Sequence, residues 1–220
     1  MGCFNHYIQV MAADAAALPV WFATSFGQQQ AYGLRPVVQS DANPQNNLPG
    51  IEIRRARPED RQVFAQMAFC TAEYQVQAPV WAPLPPEIAA ERPLMYASVL
   101  DDEDATLWLA MNGDQVAGFQ VYYPAENNPE DLFIPEHAAE MPAASTRSEF
   151  RGLGVTRALA EFGFDHLRQE GFTCCLTDWR TTNLLSSRAW PSLGYRPVMY
   201  RLHRRVDERI LWAQGLRKAG

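Results

Sequence analysis

Hydrophobic and polar positions along the chain follow two periods, and together they predict a mixed α/β fold. The alternation typical of strands occurs at 51–56, 106–111, 116–122, 172–179 and 198–203. Between the second and third of these segments, Asn112-Gly113 is the strongest hairpin signal in the chain. The spacing typical of helices occurs at 58–74, at 86–100 and from Val155 onward, and we expect a closing helix at 206–218.

The most informative stretch is 148–159, where a polar, glycine-containing turn changes into an amphipathic helix. Glycines let a backbone approach an anion closely, and the free N–H groups at a helix N-terminus point towards it. Gly152 and Gly154 therefore predict a phosphate cradle, to which Arg151 adds a matching charge. The P-loop pattern GxxxxGK[ST] is absent, and the dinucleotide pattern GxGxxG is broken by Arg157.

The motif that remains is Arg151-x-x-Gly154-x-Thr156, and it resembles the pyrophosphate loop of the GNAT acyltransferases. The downstream order strengthens the resemblance, because a helix ending near Gly171, a strand, an Asn, a helix, an aromatic residue and a Gly-aromatic pair follow in turn. The resemblance covers about 51–205. It implies a central, mostly antiparallel mixed sheet flanked by helices, and acetyl-CoA as the acyl donor. The implied reaction is acetyl transfer by direct attack of a primary amine of unknown identity, on a small molecule or a peptide.

The chain departs from the family pattern at two positions. Thr156 stands where the family prefers Gly or Ala in the loop, and Trp190 stands where many relatives have a Tyr that protonates the leaving thiolate. An indole cannot serve as that acid. Three alternatives stay open. Tyr195, Tyr200 or water protonates the thiolate, or the thiolate leaves without protonation. In the third, the protein is a catalytically weak acyl-CoA-binding or sensing protein.

The resemblance also assigns the cofactor-binding residues. Backbone N–H groups of the loop would hold the pyrophosphate, those of the preceding strand at 139–147 would contact the pantetheine arm, and two residues further on would contact CoA. The residues concerned are Arg151, Gly152, Leu153, Gly154, Val155 and Thr156 in the loop, Ala144 and Thr146 on the strand, and Asn183 and Trp190 after it. Asn183 is equally typical of a helix cap, and Trp190 of a core residue.

Four further residues are candidates for catalysis or acceptor binding. Glu140 lies eleven residues before Arg151, where some relatives carry a general base, and Tyr195 is the candidate acid. Tyr74 falls in a region that lines the acceptor site in the family, and Asp178, at the strand end expected to face the cleft, could hold a cationic substrate. A solvated Glu140, a core Tyr74 and an Asp178–Arg180 salt bridge remain open alternatives. The four histidines show no metal-ligand spacing.

The N-terminal segment 1–36 has a strand–helix–strand pattern that overlays the C-terminal motif when it is shifted by 169 positions. Asp14 then falls on Asn183 and Trp21 on Trp190. We interpret this segment as the end of a second, degenerate GNAT half, as in tandem GNAT proteins. The alternative is an ordinary N-terminal extension whose similarity to the C-terminal motif is due to chance. We expect it to dock on the main sheet or on a second chain in a homodimer. The predicted organisation is 1–36 as this partial half, 37–50 as a linker and 51–220 as the GNAT domain.

Composition narrows the possible partners and location. A net charge of −6 and a pI near 5.2 argue against nucleic acid or an anionic membrane as the main partner. No run of 18 apolar residues could form a membrane span. The four cysteines lack CxxC spacing and are typical of reduced thiols in a cytoplasmic protein.

Overall fold

A computed structural model describes residues 3–38, 44, 47–126 and 133–213. The eight strands are β1 Asn5–Met11, β2 Gly27–Pro36, β3 Glu52–Arg55, β4 Thr106–Asn112, β5 Gln115–Pro124, β6 Ala138–Thr146, β7 Cys174–Arg180 and β8 Arg196–Arg205. The α-helices are α1 Ala17–Ala23, α2 Arg61–Ala65, α3 Ala72–Gln75, α4 Pro86–Ser98, α5 Val155–Gln169 and α6 Leu184–Ser192.

All eight strands form a single sheet in the order β1-β8-β2-β7-β6-β5-β4-β3. Every neighbouring pair is antiparallel except β6 and β7, which run parallel. The predicted mixed α/β fold, with a mostly antiparallel sheet flanked by helices, is therefore confirmed. The hairpin predicted at Asn112-Gly113 is also confirmed, because β4 and β5 are joined there with Asn112 opposite Gln115.

The helices cover both faces of the sheet. Along β5, Phe119 and Val121 pack with Phe64 of α2, whereas the alternate residue Tyr122 packs on the opposite face against α5. Contact with α5 is close at Gly163, where an added Cβ would lie 2.3 Å from the Tyr122 hydroxyl oxygen. α5 therefore packs closely against β5.

β6 and β7 separate part-way along their length. Their pairing runs from Ala138 opposite Cys174 to Glu140 opposite Leu176, and no further pairs follow. A register irregularity opposite β5 lies between the pairs Val121–Ala143 and Tyr123–Glu140, and Pro142 falls within it. Proline has no backbone N–H to donate to a neighbouring strand, so Pro142 suits such an irregularity. Beyond Glu140 the two strands diverge and leave a gap between them.

The N-terminal segment forms part of this same sheet. β2 lies between β7 and β8, and β1 pairs with the outer edge of β8. Of the two docking modes expected from the sequence, the structure shows the one on the main sheet. Because β8 has only β1 and β2 as neighbours, the N-terminal segment supplies all of its strand pairing.

The segments β1-α1-β2 and β7-α6-β8 have the same form. The bounds of β1 and β2 coincide with those of β7 and β8 after a shift of 169 positions. The pairing of β1 on β8 also matches that of β2 on β7, since the pair Asn5–Arg205 corresponds to the pair Cys174–Pro36. An approximate twofold axis therefore runs between β2 and β8.

Local contacts repeat between the two segments as the sequence overlay predicts. Asp14 Oδ1 accepts a hydrogen bond from Ala17 N at 3.1 Å, and Asn183 Oδ1 accepts one from Ser186 N at 3.3 Å. The rings of Trp21 and Phe26 meet edge to face at 5.3 Å, and those of Trp190 and Tyr195 do so at 6.0 Å. The descent of this segment from a second GNAT half stays a prediction.

Two other expectations concern the C-terminal segment and the linker. The closing helix expected at 206–218 is instead a short 3-10 turn at Glu208–Leu211, and 214–220 lie outside the described residues. Much of the expected linker at 37–50 also lies outside them. Within the described residues, no helix is long and apolar enough to cross a membrane.

Candidate active site

The turn before α5 forms a cradle of backbone N–H groups. Gly152 and Gly154 have φ values of +79° and +89°, a region that a side chain disfavours, and Gly154 is the N-cap of the 15-residue helix α5. The hydrogen bond from Ala158 N to Gly154 O, at 3.0 Å, closes the first turn. The N–H groups of 154–157 precede it, so the helix leaves them free for an anion.

The cradle opens into a first cavity of about 340 Å³ that lies between β6, α3, α5 and α6. All but one of the residues predicted to bind the cofactor line it. They are Ala144, Thr146, Arg151, Gly152, Gly154, Val155, Thr156, Asn183 and Trp190, together with the predicted acceptor residue Tyr74. Leu153 is exposed and does not line this cavity. The structure therefore brings together residues from four separate parts of the chain, which are α3, β6, the turn that begins α5, and α6 with its cap.

Polar contacts fix the cradle to the end of β6. The hydroxyl groups of Thr146 and Thr156 lie 3.0 Å apart, and Arg151 Nε donates to Thr146 O at 3.2 Å. Thr156, at the position where the family prefers Gly or Ala, thus links β6 to the first turn of α5.

Two hydrogen bonds from buried side chains of β5 connect that strand to the first turn of α5. Gln120 Nε2 donates to Thr156 O at 3.1 Å, and the Tyr122 hydroxyl donates to Gln120 Oε1 at 2.5 Å. Gln120 is fully buried in a strand of apolar residues. Sequence reasoning missed it, although a lone Gln at an inward position of an apolar strand is a usable signal of a structural or binding role.

These features fit acetyl-CoA. Phosphates suit the free N–H groups and Arg151, and an extended arm with amide groups suits the backbone of β6 beyond Glu140, where strand pairing with β7 has ended. Ala144, a small residue in this gap, lines the cavity and leaves room beside the backbone. The bound molecule would supply an activated acetyl thioester at the inner end of the gap.

A second cavity of about 430 Å³ lies next to the first, where β7 diverges from β6. The two cavities share five lining residues, which are Thr71, Ala144, Asn183, Ser186 and Trp190. A molecule in each cavity could therefore meet near Ala144 and Trp190. Asp178, predicted to bind the acceptor, lines the second cavity, as do Gln30 and Arg201, which the sequence did not single out.

Asp178 lies in a half-buried polar network. Its carboxylate accepts a hydrogen bond from Gln30 Nε2, and Arg201 donates to the other end of the same Gln30 amide. Burial raises the pKa of the Asp178 carboxyl above its ordinary value, although the Gln30 hydrogen bond and the charges of Arg201 and Arg180 oppose the rise. The Asp178–Arg180 salt bridge left open by the sequence is not among the ion pairs of the described residues.

The structure does not bring the two predicted catalytic residues into either cavity. Tyr195 is only 1% exposed, and its hydroxyl lies 3.4 Å from Cys175 Sγ. Burial raises the pKa of its phenol well above the ordinary value. Tyr195 packs behind Trp190, so as the proton donor it would have no path to the leaving group. Glu140 is exposed at the last paired position of β6 and lines neither cavity.

The comparisons with known proteins identify the family. The profile described as the Acetyltransferase (GNAT) family matches residues 70–195. This range includes the cradle and the five residues that line both cavities. The chain belongs to the GNAT family. The comparison with functionally curated proteins gives no match.

Solved GNAT structures share the fold at low sequence identity. The GCN5-related N-acetyltransferase of Sphaerobacter thermophilus is 15% identical, with a TM-score of 0.55, and covers 92% of this chain. A GNAT-family acetyltransferase of Colwellia psychrerythraea is 12% identical, with a TM-score of 0.59 over 93% of this chain. This GNAT chain spans 60% and 65% of the lengths of those two proteins.

A third structure carries a ligand. The PaiA N-acetyltransferase of Thermoplasma acidophilum, solved in complex with coenzyme A, is 13% identical with a TM-score of 0.53. The match covers 71% of this GNAT chain and 99% of the Thermoplasma chain.

Proposed function

We propose that this GNAT protein transfers an acetyl group from acetyl-CoA to a primary amine that binds in the second cavity. The observation that carries the proposal is the meeting of the two cavities at Ala144, Asn183 and Trp190. One cavity contains the phosphate cradle, and the other contains the half-buried carboxylate of Asp178, which is suited to an ammonium group. Holding both reactants in one geometry lowers the entropic barrier to direct attack.

The cradle and β6 position the donor. N–H groups at 154–157 and Arg151 bind the diphosphate, and backbone groups near Ala144 hold the arm and donate to the thioester oxygen as negative charge develops on it. Thr146 and Thr156 keep β6 at a fixed distance from the cradle. These residues bind and orient, and none of them changes its charge during the reaction.

Asp178 is our candidate for the group that receives the proton of the acceptor ammonium. Amines with an ordinary pKa of about 10 must lose a proton before they attack. A carboxyl whose pKa is raised by burial is a better base than a solvated one. Asp178 lines the second cavity, which we call the acceptor cavity. Glu140 remains the rival, and it would act through water from its exposed position.

The leaving thiolate does not require Trp190 as an acid. Trp190 is 8% exposed and lines both cavities, so its indole forms part of the wall where the two ligands meet. A thiol has an ordinary pKa of about 8.5, below that of the attacking amine, so its thiolate is a competent leaving group that can take a proton from water.

Paired carboxylate variants test the function and the choice of base. CoA release from acetyl-CoA with a panel of primary amines is measured for the wild type, Asp178→Asn and Glu140→Gln. We expect Asp178→Asn to lower turnover about 100-fold while acetyl-CoA affinity is kept, and Glu140→Gln to retain most activity. The opposite order would move the base to Glu140. Saturable acetyl-CoA binding without turnover by the wild type would favour the acyl-CoA-binding or sensing function.

We also propose a cytoplasmic location. All four cysteines are unpaired, and burial raises the pKa of the Cys175 thiol to about 12. Unpaired cysteines, with buried thiols among them, are typical of proteins in a reducing compartment.

A further inference from the structure

The acceptor cavity has a positive charge that the rest of the molecule does not share. Three guanidinium groups line it, those of Arg92, Arg180 and Arg201, against the single carboxylate of Asp178. The protein as a whole carries a net charge of −6. A cation-lined cavity within an acidic protein attracts an anionic ligand.

None of these three arginines forms an ion pair with a carboxylate in the described part of the chain. Arg201 donates to Gln29, Gln30 and the Tyr32 hydroxyl, all of them uncharged acceptors. Arg92 donates to the backbone oxygen of Ala68. The described residues include no hydrogen-bond or ion-pair partner for the Arg180 side chain, so its planar guanidinium is available to a ligand.

Asp178 and Arg180 are placed to hold one small molecule at two points. They are two positions apart on β7, beyond the point where β7 leaves β6, so their side chains project from the same face. Residues at this spacing on a strand have Cα atoms about 7 Å apart. β7 therefore presents a carboxylate and a guanidinium from neighbouring positions of one face, and this pair of charges is complementary to the ammonium and carboxylate groups of an amino acid.

We infer that the acceptor is an amino carboxylate, with its ammonium group beside Asp178 and its carboxylate on Arg180. This inference rests on the proposed acetyl transfer and names its substrate class. Arg180 can bind a carboxylate through two parallel N–H···O bonds, which also fixes its orientation. Gln30 connects Asp178 to Arg201, so the network that holds the base in place also adds a second positive charge behind it.

The first test compares acceptors that differ only in the anionic group. Each common α-amino acid, with β-alanine and 4-aminobutyrate, is assayed for CoA release beside its carboxamide. We expect kcat/KM for the preferred carboxylate to exceed that of its amide about 10-fold or more. In Arg180→Met this ratio should fall to about twofold or less. Arg188→Met is the matched control, because Arg188 is exposed on α6 and lines none of the cavities, and it should keep the ratio.

A binding experiment separates failure of this inference from failure of the proposed reaction. N-acetyl amino acids and their amides are titrated into the protein saturated with CoA, and also into the protein alone. Tighter binding of the carboxylates, lost in Arg180→Met, supports the inference even if no amine is acetylated. Equal binding or equal turnover of carboxylates and amides overturns it. So does an unchanged ratio in Arg180→Met, or a failure of every carboxylate in the panel to bind or react.

Discussion

Among single residues, Gly163 shows most directly how the core fixes the cradle. An added Cβ would lie 2.3–2.5 Å from three atoms of the Tyr122 ring and hydroxyl, and both residues are buried. We expect Gly163→Ala to lower the free energy of unfolding by about 1–3 kcal/mol, although alanine favours helices by about 1 kcal/mol. Urea denaturation measures this change.

The control for Gly163 lies on the same helix. Glu161 is exposed on α5, so Glu161→Ala should change stability by less than about 0.5 kcal/mol. If Gly163→Ala proves as stable as the wild type, α5 can move away from β5, and the Gln120–Tyr122 support of the cradle is weaker than its geometry indicates.

Single residues also show where sequence reasoning ends. The cradle was predictable because Gly152, Gly154 and the start of α5 are adjacent in sequence and their chemistry is local. Gln30 and Arg201 could not be found in this way, since 171 positions separate them and only the sheet order brings them together. Tyr195 was mistaken for a candidate acid because a Gly-aromatic pattern does not reveal that the aromatic ring points into the core.

Among the elements, α6 is capped by a residue that also lines both cavities. Asn183 Oδ1 accepts from Ser186 N, and at the equivalent position Asp14 Oδ1 accepts from Ala17 N, the first residue of α1. We expect Asn183→Ala and Asp14→Ala each to cost about 0.5–2 kcal/mol of stability. Only Asn183→Ala should also weaken acetyl-CoA binding, because α1 is remote from the cavities. Equal acetyl-CoA affinity in the two variants would make Asn183 a cap alone.

The elements were predicted unevenly from the sequence. The hairpin of β4 and β5 followed from Asn112-Gly113, because its turn depends on local backbone chemistry. The expected helix at 206–218 is wrong over its described part, where Asp207 instead caps a single 3-10 turn. A few apolar residues at helical spacing do not form a helix when no buried surface lies beside them.

At the scale of the whole molecule, the N-terminal segment and the family domain share one sheet. In a fragment comprising residues 47–220, β8 would lose both of its neighbours and β7 would lose β2. We expect this fragment alone to lack cooperative thermal unfolding, and addition of a 1–38 peptide to restore it. Cooperative unfolding of the 47–220 fragment at the temperature of the intact chain would show that the N-terminal segment is dispensable for the fold.

The central claim is that the glycine cradle before α5 binds acetyl-CoA, and calorimetric titration of acetyl-CoA tests it most directly. Gly154→Val is compared with Gly171→Val, because both glycines have a left-handed φ, +89° and +81°, but only Gly154 lies in the cradle. Both variants should lose similar stability. We predict saturable binding by the wild type and by Gly171→Val, and its loss in Gly154→Val. Absence of binding by the folded wild type, or equal affinity in the two variants, would contradict the claim.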